Sequence, residues 1–304
     1  MQASAWANNK MRLILTPRCN LSCFYCHNEG QPIGSSGGFF SIGWLRSIGA
    51  WCDAREDWPS EIALSGGEPT LHEHLSELVR LSAAISPRVT LVSNGLNLDA
   101  LALSELRHAG LSRLRLGVDR LDAFKPRPSK GFLTSPVDHE GLVQRCQEIG
   151  IRVEINCVLS QMNKNTYPEL IDFALRLGTS IKFFELVRVL EFGSQARPGT
   201  VVSDSRSTGE MFVQSLLTRY PDALEMRDDR YGQANMVFDV GGVEVRYCRY
   251  LCDYDLCWLT GTRVDSEGFA YTCMRSRGTT RVLPDMLDRL HGAQWSCPRE
   301  VQPA

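Results

Sequence analysis

Cys19, Cys23 and Cys26 stand at C-x3-C-x2-C spacing, close enough in the chain for their thiols to hold one metal centre. A structural zinc site takes four ligands, and an oxidised framework spreads its pairs along the chain, so neither matches three cysteines in so short a run. An iron–sulfur cluster held by three thiolates does match, and it leaves a fourth iron open to another ligand. Incidental buried thiols, or part of a zinc site, are the competing readings.

A second group follows near the C-terminus: Cys248, Cys252, Cys257 and Cys273. So short a stretch cannot bury enough core to stand alone, so a metal-held lobe is expected there, with a four-cysteine zinc knuckle as the rival to a cluster. Cys52, Cys146 and Cys157 stand singly in apolar surroundings and read as inert core, while Cys297 beside Pro298 reads as uninvolved.

The elements that position these groups alternate. Met11 to Leu15 is a short apolar run ending at Thr16-Pro17, a strand that delivers the first cysteines on its following loop. A Gly/Ser-rich connection (Gly30 to Gly38) leads to a helix from Ser41 to Ala54. The strand Glu61 to Ser65 then runs into Gly66-Gly67-Glu68-Pro69, followed by a helix from Leu75 to Ile85. Val89 to Val92 runs into Ser93-Asn94-Gly95, with a helix from Asp99 to Ala109 behind it. The strand Leu114 to Val118, a helix over Asp138 to Ile149, the strand Arg152 to Leu159, a helix from Tyr167 to Leu177 and the strand Ile181 to Val187 continue the pattern to a break near Gly193 to Thr208. Parallel strands need crossover helices, so the repeat predicts an α/β fold whose chemistry sits at the C-terminal strand ends.

The chain has 304 residues, 43% hydrophobic and 22% charged, enough for one barrel domain of roughly 200–250 residues and a smaller appendage. The expected boundaries are 10–200 and 201–304. A net charge of −2 gives no general pull on nucleic acid or an anionic membrane. Met1 to Lys10 is polar, and no apolar run approaches the roughly 18 residues of a membrane span. Eleven cysteines, an odd number, suit a reducing compartment, so a cytoplasmic protein is expected.

The first cysteine run resembles the cluster motif of the radical S-adenosylmethionine (SAM) superfamily, C-x3-C-x-aromatic-C, with Tyr25 as the aromatic residue. The resemblance implies a [4Fe-4S] cluster on Cys19, Cys23 and Cys26. SAM would chelate its open iron and be cleaved by the reduced cluster to methionine and a 5′-deoxyadenosyl radical. It also implies a partial (β/α)6 barrel and a flavodoxin- or ferredoxin-type electron donor. Gly66, Gly67, Glu68 and Pro69 match the family's GGEP segment along the methionine moiety, with Glu68 on its amino group. Taken alone they are a tight turn. Ser93-Asn94-Gly95 is similar to the family's Thr-Asn-Gly near the ribose and carboxylate, and an N-G turn is the plain alternative. Asn156, among apolar neighbours, needs partners and finds them in the adenosyl group or in the core.

From Cys257 to Cys273 the chain is similar to the C-x9–15-G-x4-C pattern of twitch or SPASM extensions, with Asp265-Ser266-Glu267-Gly268 as a two-strand turn. That resemblance implies a small C-terminal hairpin/helix twitch lobe with an auxiliary [4Fe-4S] cluster on Cys252, Cys257 and Cys273. Cys248 would be a fourth ligand or a bystander.

The order of motifs from Arg12 to about Arg275 resembles the GTP 3′,8-cyclases of molybdenum-cofactor biosynthesis, through Arg12, Glu29-Gly30, Val118 to Asp122, Ile155-Asn156 and Phe183-Phe184-Glu185. Yet Glu61, Ala63 and Glu154 stand where that family has basic residues. Trp258-Leu259-Thr260-Gly261 replaces its Asn-Arg-x-Arg, and its C-terminal Gly-Gly is missing. A triphosphate needs several converging cations. The expected substrate is therefore a neutral or cationic peptide side chain or secondary-metabolite intermediate, met by Glu61, Glu154, Glu185 and Arg188, with no leader-peptide-binding domain visible ahead of Arg12. The alternatives are the GTP cyclase itself and a non-catalytic iron–sulfur or zinc scaffold. The carboxylates could also pair with Arg188, Arg246, Arg249 or Arg263 and say nothing about substrate.

Overall fold

The structure is a computed structural model that describes residues 6–23, 25–31, 37–121, 126–127, 131–132, 138–160, 163, 165–185, 205–229, 234–249 and 257–274. Its strands are β1 (Lys10–Ile14), β2 (Glu61–Ser65), β3 (Val89–Ser93), β4 (Arg113–Gly117), β5 (Pro126–Arg127), β6 (Gly131–Phe132), β7 (Arg152–Val158), β8 (Ser180–Phe184), β9 (Leu224–Met226), β10 (Asn235–Val240), β11 (Val243–Cys248), β12 (Thr262–Asp265) and β13 (Ala270–Tyr271). The helices are α1 (Ile42–Arg55), α2 (Leu75–Ile85), α3 (Ala100–His108), α4 (His139–Glu148), α5 (Tyr167–Leu177) and α6 (Ser205–Arg219).

Apart from the β5-β6 ladder, the strands form one sheet in the order β13-β12-β1-β2-β3-β4-β7-β8-β11-β10-β9. From β1 to β8 the order in space follows the order in sequence and every pairing is parallel. Crossovers of one hand between successive neighbours put all the helices on the same face of the sheet. That face carries Leu13, Leu64, Leu91, Leu116, Ile155 and Phe183, each fully buried in the main apolar core. Three helices, α1, α3 and α4, start at a capping side chain: Ser41, Asp99 and Asp138 each accept from a backbone N–H in the first turn.

Strand alternation gives the opposite face a different chemistry. Arg12, Ser65, Arg115, Glu154, Asn156 and Lys182 lie there, a polar face beneath the C-terminal strand ends. Residues 205–229, 234–249 and 257–271 extend the sheet at both edges. α6 lays Phe212 and Leu216 into the main core, and the β10-β11 hairpin, turning at Gly241-Gly242, continues the sheet through β11 beside β8. β12 returns to the other edge, parallel to β1, with β13 folded back on it. Sequence reading anticipated the turn at Asp265 to Gly268 and five of the helices; it set the first residues of α6 in the break and left the rest unassigned.

Candidate functional site

The loop after β1 carries Cys19, Cys23 and Cys26, all partly accessible and none in a disulfide. Backbone groups already face the sulfurs: Leu21 N–H donates to Cys19 Sγ and Asn28 N–H to Cys26 Sγ, each at 3.3 Å. As bare thiols these groups are neutral. Burial pushes Cys19 up to about 11 and Cys23 up to about 12, and it raises Cys26 as well. Only a bound cation makes thiolates of such groups, which suits three soft ligands of a metal cluster.

Gly66-Gly67-Glu68 runs beside this loop. Gly67 N–H donates to Thr16 O at 2.7 Å and Glu68 N–H to Arg18 O at 2.8 Å. A Cβ on Gly67 would lie 2.1 Å from Arg18 O, so glycine here lets the cluster loop's own backbone approach, where sequence reading assigned that space to a ligand. Glu68 Oε1 accepts from Thr70 N–H and hydroxyl and from the Ser93 hydroxyl at 2.7–3.0 Å, and Oε2 accepts from Asn94 N–H at 2.9 Å. Glu68 and Ser93 thus brace the ends of β2 and β3 against each other, and Asn94 Nδ2 reaches Asn20 Oδ1 in the cysteine loop at 2.7 Å. Pro69 opens a short 3-10 turn behind them. The hydroxyl of Tyr25 donates to Asp119 at the end of β4.

Beneath the loop lies an ion cluster. Glu29 Oε1 pairs with Arg12 at 2.5 Å and accepts from Ser65 at 2.9 Å, while Oε2 pairs with Arg263 at 3.0 Å. Burial alone would raise the Glu29 carboxyl, but Arg12 and Arg263 overcome it and hold it far below the usual carboxylate range. Arg12 and Arg263 are register partners on β1 and β12.

A second cluster crosses the middle of the polar face. Arg115 pairs with Glu61 at 2.8 Å and with Glu154 at 2.7 Å, Lys182 pairs with Glu154 at 2.9 Å, and the Thr90 hydroxyl donates to Glu61 at 3.0 Å. This corrects the expectation of carboxylates offered to a substrate. Glu61 and Glu154 are buried and neutralised, by cations other than the four named from the sequence. Glu185 also departs from expectation: it is buried and accepts from the Tyr247 hydroxyl. Asn156 sits between Gly117 and Lys182 with its Oδ1 enclosed and lacking a hydrogen-bond partner among the described residues.

Arg188, Cys252 and Cys297 lie outside the described residues, and so does the side chain of Cys257, whose backbone forms a 3-10 turn before β12. Cys273 follows β13 and is buried. A Cβ on Gly30 would lie 2.6 Å from Met274 O, and Tyr271 donates to Glu29 O at 2.9 Å, so the β12-β13 hairpin is packed onto the first cysteine loop. Cys248 ends β11 in register with Phe184, and burial pushes its thiol up to about 12. Cys52, Cys146 and Cys157 are buried, as expected. Arg115, Lys182 and Asp119 were missed as site residues, although the Arg113-Leu114-Arg115-Leu116 alternation on a strand signals one polar face.

A profile described as Radical SAM superfamily matches residues 13–174, more than half of the 304. A protein of Pyrococcus abyssi named Probable GTP 3',8-cyclase is 27% identical over 273 residues, which cover 88% of this chain and 85% of the relative. One of the same name from Methanosarcina mazei is 27% identical over 304 residues, covering 96% and 82%. Among solved structures, Streptococcus suis SuiB bound to precursor peptide SuiA has a TM-score of 0.65 at 14% identity, covering 93% of this chain and 64% of that one. Native anSMEcpe with bound AdoMet has a TM-score of 0.61 at 15% identity, covering 88% and 74%. At these identities the structures speak to fold alone. Among the described residues no helix is long and apolar enough to cross a membrane.

Proposed function

The chain belongs to the radical SAM superfamily, and from that premise we propose a radical SAM enzyme that acts on a nucleotide in the manner of a GTP 3′,8-cyclase. The superfamily carries a [4Fe-4S] cluster and SAM, which when bound supply a 5′-deoxyadenosyl radical for hydrogen-atom abstraction. In this reading Cys19, Cys23 and Cys26 hold the cluster, supported by their free sulfurs and the backbone donors that face two of them. Glu68 and Ser93 hold the two strand ends in place, with Gly66, Gly67, Pro69, Asn94, Tyr25 and Asn156 around the SAM position. The protein's own work is to orient a substrate C–H bond and exclude water.

The observation that carries the substrate reading is the pair Arg12 and Arg263, two cations side by side on adjacent strands sharing the Glu29 carboxylate. Within this trio two guanidinium groups face one carboxylate, which supports an anionic substrate. The names of the relatives point the same way. The peptide or secondary-metabolite reading rested on the missing Asn-Arg-x-Arg and on Glu61, Glu154 and Glu185 at the barrel mouth; Arg115 and Lys182 pair with the first two and Tyr247 donates to the third, which weakens that support.

We further propose that residues 10–200 form a partial (β/α)6 barrel and that 201–304 supply a twitch-like lobe. In it Cys252, Cys257 and Cys273 hold an auxiliary [4Fe-4S] cluster, with Cys248 as fourth ligand or bystander; the β12-β13 hairpin that returns Cys273 supports it. If Cys248→Ala leaves the auxiliary cluster's spectrum and iron content unchanged, that site has three cysteines. The substrate test is calorimetry of GTP with the anaerobically reconstituted protein plus SAM, paired with an assay for 5′-deoxyadenosine. Binding with GTP-dependent release is expected. A fully iron-loaded protein that neither binds GTP nor responds to it would remove the nucleotide reading.

A further inference from the structure

Tyr25 lies between a cluster cysteine and a carboxylate. Its hydroxyl donates to Asp119 Oδ2 and also stands within hydrogen-bonding reach of the Cys23 thiol. Asp119 is fixed from several sides. Its Oδ1 accepts from Val158 N–H at the end of β7 at 3.0 Å, and its carbonyl accepts from Asn163 Nδ2 at 3.3 Å. Asn163 is held in turn, donating to Val158 O at 2.8 Å and accepting from Ser160 N–H at 2.8 Å. A carboxylate so anchored cannot swing into water, and it faces Cys23 across the phenol ring's hydroxyl.

Two physical effects follow for a cluster bound through Cys23. A fixed negative charge beside a redox centre disfavours the gain of an electron. A hydrogen bond donated to a cluster sulfur favours it, because it stabilises the added negative charge. Asp119 produces the first effect and suppresses the second, because it takes the Tyr25 proton and leaves the phenol oxygen turned toward the sulfur. We infer that the fixed charge of Asp119 beside Cys23 keeps the reduction potential of the Cys19/Cys23/Cys26 cluster low. A more strongly reducing cluster is what transfer of an electron into a SAM sulfonium bond demands, so the device serves the reaction from outside the ligand set.

This rests on the cluster reading, and the test separates the two. The reconstituted protein is titrated with dithionite under anaerobic conditions, without substrate, following the reduced-cluster signal that Cys23→Ala abolishes. Asp119→Asn keeps an oxygen for Val158 N–H, removes the charge and frees the phenol proton. The expected result is about a tenfold rise in the reduced-to-oxidised ratio at fixed solution potential, equal to 59 mV for one electron. Tyr25→Phe keeps the charge and should show no rise. An Asp119→Asn ratio within about twofold of the parent, or an equal rise in Tyr25→Phe, overturns the inference. Should Asp119→Asn not retain iron, Tyr25→Phe alone decides, since any rise there contradicts a charge-dominated effect. A parent protein with no Cys23-dependent iron would instead sink the cluster reading and this inference with it.

Discussion

Glu29 and Arg263, 234 positions apart in sequence, meet at 3.0 Å between carboxylate and Nε. Through this pair the last described hairpin is locked to the first cysteine loop. Glu29 has a left-handed backbone and precedes Gly30, which leaves room for Met274. The first cysteine loop and the β12-β13 hairpin, through Met274, therefore share one joint.

Removing the charge at that joint should be costly. Glu29→Gln leaves the buried Arg263 and the half-buried Arg12 beside each other without their shared counter-ion, and breaking a buried pair such as Glu29 and Arg263 costs about 3–5 kcal/mol. Urea unfolding of the metal-free protein measures it. A loss below about 1 kcal/mol, the value of an exposed pair, would mean that the joint is solvated.

Gly67→Ala tests the close approach of the GGEP segment to the cysteine loop. The new Cβ would meet the Arg18 carbonyl at 2.1 Å, and a backbone atom has no rotamer by which to move aside. The loop must shift, so most Cys19/Cys23/Cys26-bound iron should be lost on reconstitution. Gly117→Ala, whose Cβ would have no neighbour nearer than 3.8 Å, is the matched control and should retain it. Equal iron in the two variants would refute the packing argument.

How far the sequence reached follows from which patterns are local. The cysteine spacing, the alternating strand and helix runs and the Gly241-Gly242 turn are short-range signals, and the structure has β1, β2, α2 and α5 within a residue of expectation. The ion pairs were not legible, because Arg115 meets Glu61 and Glu154 only once strands far apart in sequence lie in register. Arg263 was hidden for the same reason: its neighbour Arg12 belongs to the other end of the chain. α6 escaped notice because its apolar residues fall in two runs, Met211 to Val213 and Leu216-Leu217, of which Phe212 and Leu216 are buried while Met211 and Leu217 face outward.

The central ion cluster predicts an acid-labile fold. Burial would raise the Glu154 carboxyl, but Lys182 and Arg115 more than offset this and hold it at about 2, against 4.5 for a free glutamate. A depressed folded-state value means that stability is fully present above the unfolded value and is lost as pH falls through the folded one. The contribution, on the order of 3 kcal/mol, should therefore disappear between about pH 4.5 and pH 2. Glu154→Gln should flatten that part of the profile while lowering stability at neutral pH. An unchanged acid slope in the variant would show that other carboxylates dominate.

Asn156 allows stability and ligand binding to be separated. Its Oδ1 is enclosed without a partner among the described residues, and an unsatisfied buried acceptor costs about 1–3 kcal/mol. If the atom serves only the core, replacing it brings no binding penalty. If it awaits the adenosyl group, as we propose, the ligand supplies the missing donor and the cost is recovered on binding. Asn156→Ala should then leave the metal-free protein as stable as the parent or slightly more so in urea unfolding. It should also weaken SAM binding to the reconstituted protein by about tenfold, the equivalent of one such hydrogen bond. Loss of stability with unchanged SAM affinity would assign Asn156 to the core and withdraw it from the site.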